Sequence, residues 1–134
     1  RADIARATIE GIALGLRVAL DELRRLTDIN PAMTIVGGGA RSALMRQAMA
    51  DLLDCAIVKT SIDQQSASLG AAALAMVATG NWADMQPLLG LHRIEQRHEP
   101  DPETADRAAR MLAAYRAAAE AQRTLAPLLA NLRA

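Results

Sequence analysis

The sequence predicts an α/β fold, mostly helical, with two short strands set among four helices. Three observations carry that expectation. Two short apolar runs, Met33 to Val36 and Cys55 to Lys59, have strand length and strand composition. The segments around them repeat their apolar residues at three- and four-residue steps, as one face of a helix does. A run Gly37-Gly38-Gly39-Ala40 joins the first strand to the helix between them. A strand, helix, strand order of that kind makes the two strands parallel.

Taken in order, Ile9, Ile12, Leu16, Leu20 and Leu23 form one stripe of a first helix, and Gly11 and Gly15 lie a turn apart where a neighbouring backbone can approach. Asp28, Asn30 and Pro31 end that helix, because proline disfavours helical geometry in the residue before it. After the first strand and the glycine run, Ser42 is an N-cap for a helix whose pairs Leu44/Met45, Ala48/Met49 and Leu52/Leu53 repeat every four residues. Thr60 to Ser66 is polar loop. A third helix follows, capped at Ser66, with Leu69, Ala73, Met76 and Val77 inward, stopped by Gly80-Asn81 with Trp82 folding back on its end. Gly90 to Pro100 reads as surface loop. Asp101-Pro102 opens a last helix, 102–126, with Ala108, Leu112, Tyr115 and Ala119 on one face until Pro127 interrupts it. Two strands beside four striped helices leave sheet edges and helix faces uncovered, so the chain is expected to be part of a larger fold.

The glycine run carries the chemistry. Three residues without side chains expose N–H groups and permit positive φ, while the start of the next helix favours negative charge nearby. Pattern alone leaves a nucleotide site and a plain strand-to-helix turn as alternatives. A P-loop is excluded, because Gly, four residues, then Gly-Lys-Ser/Thr occurs nowhere. A dinucleotide fingerprint is nearer, but its third small position falls on Ser42, and about 20 residues later the second strand ends in Lys59 instead of an acid. A part of a Rossmann-type oxidoreductase and a helical interaction module are the runners-up.

Val36-Gly37-Gly38-Gly39-Ala40-Arg41-Ser42, with Met45-Arg46-Gln47 and Ala50-Asp51, resembles the adenosine-binding segment of the FGGY carbohydrate kinases, most closely the xylulokinase branch. Upstream, Arg6-Ala7, Glu10-Gly11-Ile12-Ala13 and Gly15-Leu16-Arg17 are similar to a helix of that family. Downstream, Ser66 to Ala72 is similar to its "ALGAA" helix start, and Pro100-Asp101-Pro102-Glu103 with Tyr115-Arg116 to its C-terminal end. The resemblance covers nearly the whole chain in order. It implies a ribonuclease H-like lobe of the actin-like ATPase superfamily, with residues 1–134 as the C-terminal portion of the second, nucleotide-binding domain and 33–53 as the adenosine-binding segment.

The resemblance further implies transfer of the γ-phosphoryl of ATP, as its Mg2+ complex, to a sugar hydroxyl, for a xylulokinase that of xylulose. Gly38, Gly39 and Ala40 would lie against the adenosine and nearest phosphate, and Ala43 would stand where some members carry Asn. Arg41 reads as a solvated helix-start residue before a ribose or phosphate contact, and Ser66 as a cap before a nucleotide neighbour. No catalytic residue is assigned, since the family's catalytic Asp and sugar site lie on sequence that would precede Arg1.

Composition agrees. With 51% hydrophobic residues in 134, the chain can bury one core, and no apolar run approaches the roughly 18 residues of a membrane span. Fifteen basic and fifteen acidic residues cancel, which disfavours nucleic acid and anionic membranes as partners. One cysteine and no signal peptide make the cytoplasm the expected compartment, and an opening on Arg1 implies sequence upstream. Oligomeric state is open, a homodimer included. His92, Glu95, His98 and Glu99 have no standard metal spacing and read as exposed loop, and Cys55 reads as a small buried hydrophobe.

Overall fold

The computed structural model describes residues 2–62 and 64–131. Helix α1 (Ala2–Leu26) leads to strand β1 (Ala32–Ile35), a 3₁₀ turn (Gly38–Arg41), helix α2 (Ala43–Leu53) and strand β2 (Ala56–Thr60). Helix α3 (Ser66–Ala78), a 3₁₀ segment (Gln86–Leu91), strand β3 (Ile94–His98), a short 3₁₀ turn (Pro102–Thr104) and helix α4 (Ala105–Asn131) complete it.

The two expected strands are present and parallel, with Ala32 opposite Ala56 and Ile35 opposite Lys59. The stretch read as surface loop contains a third strand. β3 pairs antiparallel with β2, His98 opposite Ile57 and Gln96 opposite Lys59, so the sheet order is β1-β2-β3. Ile-Glu-Gln-Arg-His carries no apolar alternation because neither side of β3 belongs to the core, and every residue from Ile94 to Arg97 is exposed. Its strand geometry comes from the hydrogen-bonding edge of buried β2, which its own composition does not advertise.

Three helices build the core. Leu14 and Leu20 of α1 meet Met49, Ala50, Leu52 and Leu53 of α2, Cys55 just ahead of β2 and Ile57 of β2, and Met111, Leu112 and Tyr115 of α4 pack against them. Ala108 belongs to the same α4 face, but Ala119 is exposed. Gly15 lets α4 approach α1, since a Cβ there would sit 3.1 Å from Tyr115 Oη.

The first helix buries a different stripe from the one read off the sequence. Of Ile9, Ile12, Leu16, Leu20 and Leu23 only Leu20 is buried, while Ile12, Leu16 and Leu23 are about half exposed. The packed side runs through Ala13, Arg17, Leu20 and Arg24 because its polar members have work at the end of α2. Arg17 Nη1 donates to the Leu52 carbonyl at 3.3 Å and Arg24 Nη2 to those of Leu53 and Asp54 at 3.1 and 3.0 Å. Those are carbonyls that a helix C-terminus leaves unsatisfied, and cations there also complement the helix dipole.

The third helix keeps its predicted inward residues, with Ala73 buried and Leu69, Met76 and Val77 half-buried. Its N-cap position is Gln65, without a side-chain cap, so Ser66 is the first helical residue and not the cap. At its end Gly80 has φ 75° and donates to the Val77 carbonyl, and the Trp82 N–H closes onto Met76, the fold-back that was expected. Asp101 accepts from the Glu103 N–H ahead of the last helix. That helix continues past Pro127 to Asn131. A proline removes one intrahelical bond and bends a helix without always ending it.

Candidate functional site

The glycine turn sits between β1 and α2. Gly37 has φ 81° and ψ −165°, a region open essentially to glycine, and its carbonyl accepts from the Ala40 N–H at 3.1 Å. The Ser42 N–H closes onto Gly39 at 3.2 Å, and the Ser42 hydroxyl accepts from the Met45 N–H at 3.2 Å, so Ser42 is the N-cap of α2 as the sequence predicted. Gly38 and Gly39 open the 3₁₀ turn, where N–H groups have no partner within the turn itself.

Of the predicted site residues, Gly38 is exposed and a Cβ on it would meet no protein atom within 4 Å. Gly39 is half-buried, and a Cβ there would come within 2.9 Å of Met45 Sδ, the mobile end of a flexible side chain. Ala40 is fully buried, and Ala43 is exposed on the first turn of α2. Gly38 and Ala43 are thus exposed, Gly39 is partly covered and Ala40 lies below the surface. Arg41 is exposed at the end of the turn.

Sequence reasoning missed the residue that holds this turn. Arg46 is 4% exposed, its Nη1 donates to the Ala40 carbonyl and its Nη2 to Gln96 Oε1 on β3. An arginine four residues after the cap, between Met45 and Met49 on the apolar side of α2, was the available signal. Gln47 and Asp51 tie the same helix to the β3–α4 connection, through the Glu99 carbonyl and the Asp101 N–H.

A groove lies away from this turn. It is an opening of about 530 Å³ between α1, α2 and the start of α4, with Ile9, Leu44, Ala48, Leu52, Ala108 and Met111 among its lining residues. Within its lining Arg6 and Arg107 both pair with Glu10, and none of the predicted site residues lines it. Three residues of the spaced His/Glu run go to separate partners, Glu95 to Lys59, Glu99 to Arg97 and His92 to the Thr60 hydroxyl, while His98 Nδ1 is buried without a hydrogen-bond partner. Cys55 is buried, and that burial raises its thiol pKa above the ordinary value.

Residues 1–79 match the C-terminal domain of the FGGY family of carbohydrate kinases. The chain belongs to that family. A glycerol kinase from Limosilactobacillus reuteri is 36% identical over 108 residues, which are 78% of this chain and 21% of that protein. Two solved structures from Lactobacillus acidophilus, a ligand-bound xylulose kinase and a gluconate kinase, each superpose at a TM-score of 0.74 with 30% identity. Each covers 92% of this chain and 24% of its own. The chain therefore spans about a fifth of the curated FGGY relatives it matches and a quarter of the solved ones. Its fold class is that of the FGGY kinases, ribonuclease H-like and actin-like, with a third strand added to the two expected. Family membership displaces the dinucleotide-binding alternative, and Lys59, near the end of the second strand, pairs with Glu95.

Proposed function

We propose that this chain is the ATP-binding C-terminal portion of the second lobe of a cytoplasmic sugar kinase, which transfers the γ-phosphoryl of ATP to a hydroxyl of D-xylulose. The observation that carries the nucleotide reading is Gly38. Its φ lies outside the left-handed region and no protein atom occupies the space over it, so the fold itself has no need of glycine there. A ligand lying on bare backbone does need it. Gly39 extends that surface, Ala40 fixes the turn from below, and Ala43 offers an exposed methyl group on the first turn of α2. ATP enters with its Mg2+, for which no residue of this chain is assigned as a ligand.

The role as part of a larger lobe is supported by the surfaces left uncovered. β1 is an outer strand of the sheet, and Ile12, Leu16, Leu23, Val36 and Leu74 are apolar and 47–61% exposed. No helix among the described residues is long and apolar enough to cross a membrane. Xylulose rests on the motif resemblance and on the likeness to the solved xylulose kinase. Glycerol is the second reading, favoured by the curated relatives of that name.

The nucleotide assignment is tested by Gly38→Val and Gly39→Val in the intact kinase. Each is expected to raise the KM for ATP by about tenfold or more while the KM for the sugar stays within about twofold, because the branched side chain blocks adenosine and leaves the other lobe untouched. Gly38→Val is the cleaner variant, since Gly39→Val also displaces Met45. An unchanged ATP dependence in folded Gly38→Val enzyme rejects the site.

A further inference from the structure

The interior behind the glycine turn holds a cation without a counter-charge. Arg46 is almost fully buried, yet its two hydrogen-bond partners are a neutral carbonyl and a neutral amide oxygen, and its Nε has no partner. Among the described residues no carboxylate pairs with it. Burying a guanidinium in this way is costly, and a methionine of similar reach would fill the same space without that cost. What a methionine lacks is two donor arms in a fixed fork. One arm reaches six residues back to Ala40, the fully buried member of the turn, and the other reaches 50 residues on to β3.

We propose that Arg46 is a positioning residue for the nucleotide. It pins the Ala40 carbonyl inward, which fixes the open face at Gly38 and Gly39, and Gln96 anchors it from the sheet. Its charge stands behind the turn, and the phosphates of the bound nucleotide supply the missing counter-charge. This inference rests on the nucleotide assignment above.

The test uses the intact kinase and three variants beside Gly38→Val. Arg46→Met keeps the packing and removes both arms and the charge. Arg46→Lys keeps the charge and one donor group, and Gln96→Leu removes only the anchor on an exposed strand. Arg46→Met is expected to raise the KM for ATP by about tenfold with the sugar KM unchanged, Arg46→Lys to recover most of that, and Gln96→Leu to raise it about threefold. The ratio of the inhibition constants of adenosine and a non-hydrolysable ATP analogue should fall toward one in Arg46→Met, a change that a loss of packing does not produce. If Arg46→Met does not accumulate as folded protein, Gln96→Leu decides. A KM for ATP within about twofold of wild type in Gln96→Leu, and in Arg46→Met where it folds, overturns the proposal. If Gly38→Val is also without effect, the nucleotide assignment itself has failed. If Gly38→Val alone raises the KM, only the positioning role has.

Discussion

Gly37 and Gly38 are adjacent glycines kept for opposite reasons. Gly37 holds φ 81° with ψ −165°, so any side chain there is strained even though space is available around it. Gly38 has an ordinary φ and open space, so the chain alone tolerates a side chain there. Gly37→Ala is therefore expected to destabilise the protein by about 1–3 kcal/mol, and Gly38→Ala to leave stability nearly unchanged. Denaturant melts of the two variants check this, and equal midpoints would contradict the backbone account of Gly37. The contrast is invisible in the sequence, which shows three identical residues in a row. Which of them is strained depends on where the strand ends and the turn begins.

Among the elements, α1 is the organiser, and its polar stripe matters as much as its apolar one. Asp21 accepts from Arg17 Nε at 2.7 Å on its own helix and from Arg116 on α4 at 2.7 Å, with Arg24 at 3.6 Å. The same two α1 arginines hold the C-terminal carbonyls of α2. Asp21 thus orients the groups that join α1 to both its helical neighbours, with its side chain 17% exposed. Asp21→Asn is expected to cost about 1–2 kcal/mol, more than the 0–1 kcal/mol of a surface pair, because three guanidinium groups lose a charged partner at once. Pairing it with Arg116→Met in a double-mutant cycle separates the α1–α4 share, and additive costs would mean that the pair contributes nothing. The helix periodicity was legible here, yet the choice of buried face was not. α1 carries apolar residues on two adjacent stripes, and the one that packs is the one bearing Arg17 and Arg24.

At the scale of the molecule, phosphoryl transfer needs a base, a sugar pocket and phosphate donors closed around one substrate. We assign none of the first two to this chain, which spans about a quarter of the solved kinases it resembles. The isolated 134-residue chain is expected to release no ADP with any sugar and to bind ATP weakly, whereas the intact kinase turns over. Coupled assays with xylulose, ribulose, gluconate and glycerol on both forms check this and rank the sugars. Sugar-dependent ADP release by the isolated chain would refute the division of labour. Glycerol preferred over xylulose in the intact enzyme would replace the substrate and leave the nucleotide site standing.

The sequence by itself determined the strand, glycine turn, helix, strand unit, the Ser42 cap and the family, because these rest on residues close together in the chain whose conformational demands are local. Arg46, Gln96 and β3 were decided only by the tertiary structure. β3 owes its form to the unpaired edge of β2, some 35 residues earlier, since Lys59 lies opposite Gln96. The burial of Arg46 follows from the packing of α2 against that sheet, and its partners lie 6 and 50 residues away. Hydrogen bonds of that range leave no period and no spacing to read. They exist only once the chain has closed on itself.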